Sequence, residues 1–295
     1  MSETCLFDDE KMAHAVDAAK KAARRAGVAA NEATVLYRSR RVVLLFPEIA
    51  TVARVGSADE ACLAADAREL SVARRLVLKG APVVGPSEFM APKPFIEDGL
   101  AVTFWPNVDH KTCDYEDREA VACAALALRR VHQCLTDYPG ALPSYWERIE
   151  RCASSLRGPK PPAALGAEDR TFLLKTYDRL CEALQRFDVR AAPIHGDAHM
   201  GNAFFTPAGP LWTDFETACL GPHEWDVAAI SHPAAFSGLD PDLYAILSQL
   251  RSLCVVVWCA ALAHDPKKRA VGEEQLALLK SAAARRGVGA EVGRS

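Results

Sequence analysis

The chain has 295 residues, half of them apolar and a quarter charged, with a formal net charge of −3 at neutral pH. That is enough chain for two domains with ordinary cores, and the slight acidity excludes a protein built to displace counterions from nucleic-acid phosphates. Ten cysteines run from Cys5 to Cys259 with no C-x-x-C pair, which fits reduced, mostly buried thiols better than the disulfide framework of a small secreted domain.

The first residues, Met1 to Asp9, carry acids where a signal peptide needs a basic run and a long apolar core, so a cytoplasmic location is expected. Asp8 to Ala26 is rich in alanine, free of Pro and Gly, and stops at Gly27, which predicts a helix closed by a glycine cap. Lys20, Lys21, Arg24 and Arg25 lie on it as a solvated face. Ala33 to Tyr37 and Arg41 to Phe46 are β-branched and aromatic runs on either side of a polar turn, and Thr51 to Val55 adds a third strand after Pro47. Ala58 to Leu78 places Leu63, Ala67, Leu70, Ala73 and Leu76 on one face of a helix. Gly80 to Pro86 turns the chain back, and after an irregular Pro-rich stretch Leu100 to Trp105 reads as a strand that ends at Pro106-Asn107-Val108.

The rest is mainly helical. Glu116 to Leu135 and Phe172 to Phe187 carry apolar residues at helical spacing, with a break at Gly158 to Pro162 between them. Near the C-terminus Asp240 and Asp242 flank Pro241 as a helix start. Leu243, Ile246, Leu247, Leu250, Leu253, Cys254 and Val257 then draw one stripe, and Glu273 with Glu274 is expected to open the final helix. The longest apolar run, Leu253 to Ala263, is too short to span a bilayer, so no membrane partner is expected.

One stretch interrupts the helices: His195-Gly196-Asp197-Ala198-His199-Met200-Gly201-Asn202, then Trp212-Thr213-Asp214-Phe215-Glu216. Val189 to Ile194 before it reads as a strand. Between the two segments, Ala203 to Phe205 and Pro210 to Thr213 are short apolar runs about a turn at Thr206 to Gly209, a hairpin that brings Asn202 back beside Asp214. An aspartate held in a loop takes the proton of a hydroxyl, an asparagine five residues on holds a divalent ion, and a second aspartate clamps that ion. These are the parts of a phosphoryl-transfer site.

The pattern H-G-D-x-x-x-x-N followed by an apolar strand ending D-F-E resembles the aminoglycoside phosphotransferase and choline kinase group of kinase-like enzymes. The resemblance implies an α+β, bilobal protein-kinase-like fold. Residues 1–108 would form an N-terminal helix and a small β-rich nucleotide-binding lobe with its hinge, and residues 109–295 a larger, mainly helical catalytic and acceptor-binding lobe. It implies ATP and Mg as cofactors, with Asp197 as the catalytic base and Asn202 and Asp214 as metal ligands. Arg54, in Val52-Ala53-Arg54-Val55, would reach the α- and β-phosphates and pair with Glu69. Adenine would lie near Trp105, Asn107 and Val108, and Asp226 would brace the catalytic loop.

Two positions depart from the family pattern. Arg54 stands where lysine is more usual; a guanidinium keeps the charge and binds phosphate and carboxylate together. The turn Arg38-Ser39-Arg40 lacks glycine, so a phosphate contact from the Ser39 N–H and a plain hairpin turn both stay open. His195 is read as an orienting residue, and His199 and Glu216 receive no role.

Other classes share these residue types. His195, Asp197, His199, Asp214 and His223 would also suit a two-metal hydrolase, and a catalytically silent binding protein would keep the fold without turnover. Arg54, Glu69 and a hinge strand ahead of helices favour the kinase. Its partner is a small-molecule hydroxyl acceptor, the chain being a monomer or homodimer. From Gly221 to Ser295 there are eight acids and eight bases, so few carboxylates remain to hold a polycation. A neutral or weakly charged acceptor is expected ahead of an aminoglycoside antibiotic.

Overall fold

The computed structural model describes residues 9–38 and 41–292, so Ser39 and Arg40, with the phosphate contact considered for them, lie outside the described residues. By contact density the chain forms two compact units, Met1–Leu142 with Pro193–Cys219, and Pro143–Ala192 with Leu220–Ser295. The boundary expected at 108/109 divides the chain by ligand, whereas these units divide it by packing.

The first unit is built on an antiparallel five-stranded sheet. Helix α1 (Asp9–Arg25) is followed by β1 (Thr34–Arg38), β2 (Val42–Phe46), β3 (Thr51–Ser57), α2 (Glu60–Leu78), β4 (Phe95–Glu97), β5 (Leu100–Pro106) and α3 (Arg118–Leu135), and the strand order is β1-β2-β3-β5-β4. Strand β4 was not anticipated, because three residues inside a Pro-rich stretch carry too short an alternation to register. Ala15, Ala18, Ala19, Ala22 and Ala23 of α1 are all buried, and such small side chains let the helix lie close on β4 and β5. Asp59 caps α2 by accepting from the Cys62 N–H, as a side-chain acceptor at that position does for an orphan amide.

Alternation along the strands separates two faces. Val42, Leu44 and Phe46 of β2 and Thr51, Ala53 and Val55 of β3 are buried, while Val43, Leu45 and Val52 are half-buried on the other side, together with Arg54, whose side chain is 17% exposed. Register pairs Arg54 with Val43 and Thr103, and Val52 with Leu45 and Trp105. Directly paired residues share a face, so the basic side chain and the hinge tryptophan stand on the same surface.

After the short strand β6 (Ala192–Ile194) come β7 (Ala203–Thr206), β8 (Gly209–Trp212) and β9 (Cys219–Gly221). The expected hairpin is β7–β8, in register Ala203 to Trp212 and Thr206 to Gly209. Both of its outer edges are held. Lys111 and Phe205 exchange backbone hydrogen bonds at 2.9 and 3.0 Å, and Trp212 is bonded through its N–H to Pro82 O and through its C=O to the Val84 N–H, each at 2.9 Å.

The second unit holds α4 (Trp146–Arg157), α5 (Ala167–Leu184), α6 (His223–Ile230), α7 (Pro241–Ala261) and α8 (Pro266–Val292). Helix α7 packs against the other four, which is why its burial widens beyond the expected stripe to include Arg251, Val256 and Cys259. By length and hydropathy α7 alone among the described helices is able to cross a bilayer, but half of it is buried within the protein, and its buried Arg251 stacks over Trp225 and Trp258 at 5.4 Å from each ring. Those are the marks of a core helix. Helix α8 starts at Pro266 rather than at Glu273: the Asp265 carboxylate accepts from the Lys267 N–H at 2.8 Å, and proline at the first helical position supplies a preset φ. None of the nine cysteines among the described residues forms a disulfide, and five of them are buried.

The α2 face gives a direct check. Leu76 is fully buried and Leu78 is 82 % exposed. Leu76→Ala should lower the unfolding free energy by about 2–5 kcal/mol and Leu78→Ala by less than about 0.5 kcal/mol, read from urea midpoints at constant slope. Equal shifts would show that the helix face is wrongly placed.

Candidate active site

The site grows from the end of β6. Ile194 and His195 are buried, and the chain then turns through Gly196 at φ 82°, where an added Cβ would sit 2.1 Å from the Thr217 carbonyl oxygen. Only glycine meets both conditions. The His195 ring packs against Trp212 and Phe215, at centroid distances of 5.4 and 4.5 Å. Its Nε2 lies 2.9 Å from Thr213 O, and its Nδ1 accepts from the Asp197 N–H at 3.4 Å. With both nitrogens engaged this histidine orients the loop and offers no lone pair to a metal.

The loop from Asp197 to Asn202 is closed by its own hydrogen bonds. The Asp197 carbonyl accepts from the His199 N–H at 2.8 Å and from Asn202 Nδ2 at 3.0 Å, and the Asn202 N–H donates to His199 O at 2.9 Å. Since the Asn202 amide nitrogen is committed, its Oδ1 faces the remaining space. The hairpin then returns the chain, and the Thr213 N–H donates to Asn202 O at 3.0 Å. Asp214 follows in the left-handed region, φ 68° and ψ 54°, a conformation that non-glycine residues hold only under constraint.

Arg54 reaches this point from β3. Its Nη1 donates to Glu69 Oε1 at 2.6 Å and its Nη2 to Asp214 Oδ1 at 2.7 Å, so the expected Arg54–Glu69 pair is present and extends to the second aspartate. Burial pushes the Glu69 carboxyl up to about 7 against the opposing pull of Arg54, with Asp214 and Glu216 adding to the rise. Glu69 Oε2 is buried with no protein partner among the described residues. At Asp214, burial would raise the carboxyl, but the charge and hydrogen bond of Arg54 outweigh it and hold the group below its ordinary value. Asp214 Oδ2 and Asn202 Oδ1 remain as hard oxygen donors, the type that suits Mg²⁺. The structure's donor set thus fits the ion implied by the sequence.

Strand β5 ends at the segment expected to be the hinge. Trp105 is buried, its Nε1 donates to Thr103 Oγ1 at 3.0 Å, and the Arg54 guanidinium lies 5.8 Å from its ring centre. The Asn107 N–H is taken by Ala50 O at 2.8 Å, and Val108 O lies 2.7 Å from His110 Nδ1. Asn107 therefore spaces the strand end, and Val108 is the hinge residue whose N–H has no protein partner among the described residues.

Asp197, Asn202, Asp214, Arg54 and Glu69 are thus brought together within the first unit. The five residues of the hydrolase reading do not form a group of three or more close ligand atoms: among the described residues the His, Cys, Asp or Glu group that does is Asp66, Glu69 and Glu216. Two contacts went unread in the sequence. His110 stacks on Phe204 at 3.7 Å, which the strand period would have suggested, since Phe204 lies two residues beyond Asn202 on its face. Arg41 binds Asp66 and Glu216, and no local pattern announces it.

A profile of the phosphotransferase enzyme family matches residues 22–252. No curated protein sequence matches the chain. Among solved structures, a microcompartment-associated aminopropanol kinase is 17% identical, with a TM-score of 0.70, over 92% of this chain and 98% of that one. The GDP and kanamycin complex of APH(2'')-IIia is 14% identical, with a TM-score of 0.68, over 92% and 99%. The amicoumacin kinase hAmiN, in complex with AMP-PNP, Ca²⁺ and Ami, is 14% identical, with a TM-score of 0.64, over 94% of each chain. At such identities the likeness establishes the fold, which is the expected α+β, kinase-like one.

Gly196 supplies the test of the loop geometry. Gly196→Ala is expected to destabilise the protein by about 1–3 kcal/mol through backbone strain alone, with the contact to Thr217 adding to this, and to depress activity more than stability because Asp197 is displaced. A urea titration beside a turnover assay reads both, and a variant normal in both would contradict the loop conformation.

Proposed function

Because this chain belongs to the phosphotransferase enzyme family, we propose that it is an ATP- and Mg-dependent kinase that moves the γ-phosphoryl group to a hydroxyl of a small molecule. The observation that carries this reading is the pair of clamps on Asn202, side chain to Asp197 O and backbone O to Thr213 N–H, which gather a base and two oxygen ligands beside the Arg54–Glu69 pair.

In this reading Asp197 accepts the acceptor's hydroxyl proton on its carboxylate while orienting the oxygen for attack. Asn202 through Oδ1 and Asp214 through Oδ2 hold the magnesium. Bound there, the ion neutralises charge on the phosphates. Arg54, kept in place by Glu69, contacts the α- and β-phosphates, and adenine sits at Trp105 and Asn107 with Val108 donating its N–H. Unpaired cysteines fit the cytoplasm. Asp197→Asn should retain ATP binding and lower kcat by roughly two to four orders of magnitude, whereas Asp214→Ala should abolish metal-dependent turnover. Isothermal titration with AMP-PNP beside a coupled assay separates the two, and near-normal turnover in either variant would remove its assigned role.

For the acceptor we favour a neutral or weakly charged alcohol over a polycationic aminoglycoside. Four carboxylates of the second unit are already committed. Asp240 caps α7, Glu224 accepts from the Asp240 N–H at 3.1 Å, and Asp169 and Asp178 are paired with Lys280 and Arg157. Each ammonium desolvated without a counter-charge is penalised by several kcal/mol. A phosphorylation screen over small alcohols, amino alcohols and kanamycin-type compounds checks this. A kcat/KM above roughly 10⁴ M⁻¹s⁻¹ on the last class would reverse the order.

A further inference from the structure

Arg41, just ahead of β2, repeats the arrangement of Arg54. Its Nη1 donates to Asp66 Oδ1 and its Nη2 to Glu216 Oε2, the latter at 2.6 Å. Asp66 and Glu69 lie three residues apart on α2 and so share a face, and Glu216 lies two residues beyond Asp214. Helix α2 therefore sends two carboxylate–arginine–carboxylate bridges to the D-F-E segment, Asp66–Arg41–Glu216 and Glu69–Arg54–Asp214. The Arg41 side chain is only 18% exposed and that of Asp66 only 1%. Its stem lies along Gly56 of β3, where a Cβ would be 3.4 Å from Arg41 Cγ.

A third contact acts on the same residue. Arg68, also on α2, donates through Nε and Nη2 to the Glu216 carbonyl at 3.0 and 2.7 Å. Glu216 is thus held by side chain and backbone alike, at the centre of the 3₁₀ turn Phe215–Thr217 that packs on α2. Buried ion pairs are weak sources of stability, so two arginines, Arg41 and Arg68, committed to one residue of a short turn point to a geometric demand. The demand lies next door, at Asp214 with its left-handed backbone.

We propose that Arg41 is a positioning residue: through Glu216 it fixes the Phe215–Thr217 turn on α2 and so keeps the Asp214 carboxylate aimed at the divalent ion. This rests on the reading of Asp214 as a metal ligand.

Glu216→Gln leaves the Arg41–Asp66 pair intact, and Arg41→Lys keeps the charge while losing the span between two acids. Binding of Mn²⁺, followed by electron paramagnetic resonance in the presence of AMP-PNP, should weaken by about tenfold in both, the lower end of the range for outer partners of metal ligands. Metal-free AMP-PNP affinity and the thermal midpoint should stay at the parent values. Unchanged Mn²⁺ affinity in both variants overturns the proposal, as does a loss that runs parallel to a fall in thermal midpoint. Asp214→Ala serves as the reference. If it binds Mn²⁺ normally, the ligand reading fails and the proposal with it; if it loses Mn²⁺ while the other two do not, the proposal alone fails.

Discussion

The Arg54 guanidinium between Glu69 and Asp214 is the constraint on which the rest of the site depends. A charge withdrawn from water must be paired and hydrogen-bonded or it is strongly unfavourable, so a buried arginine demands partners at fixed places. One partner sets the rotation and height of α2 against β3. The other brings the D-F-E segment to the same point. Because three elements far apart in the chain converge on one planar fork, a displacement of any of them leaves a buried ion uncompensated. Two Arg54 bonds thus align helix, sheet and D-F-E segment.

Around that fork the catalytic loop is shaped chiefly by backbone groups. Gly196 allows the close approach to Thr217, the Asp197 carbonyl collects two donors, and Asn202 spends its amide nitrogen inside the loop. The groups that remain beside it are chemically specific: the Asn202 Oδ1 and Asp214 Oδ2 oxygens, with both His195 nitrogens taken. That pattern suits a hard cation and a proton acceptor.

The second unit obeys a different logic. Helix α7 is surrounded by four others and is apolar for that reason, while the acids of the unit cap helices or pair with nearby bases. Solved structures of the fold include a kanamycin complex, an amicoumacin kinase and an aminopropanol kinase. A shared fold therefore leaves the acceptor open, and it is the local supply of uncommitted carboxylates that bears on which acceptor this chain takes.

Apart from β4, the strands and helices of the first unit and the β7–β8 hairpin were legible in the sequence, as were Asp197, Asn202, Asp214, Arg54 and Glu69 as candidates, because periodicity, turn residues and short-range spacing are properties of neighbouring letters. Strand β4 and the true start of α8 were not, being too short or capped by a single aspartate. Nor was Arg41. Its partners lie 25 and 175 residues away, and nothing local distinguishes an arginine that will be buried between two acids from one that will face water. The sequence by itself determined the chemistry available, the residues proposed as a base, two oxygen ligands and a phosphate-binding cation, in a kinase-like order. Which atoms of those residues remain unspent, and how Asp214 is held in its left-handed turn, only the tertiary structure decided, because hydrogen bonds between distant segments consume donors and acceptors that the sequence leaves equivalent.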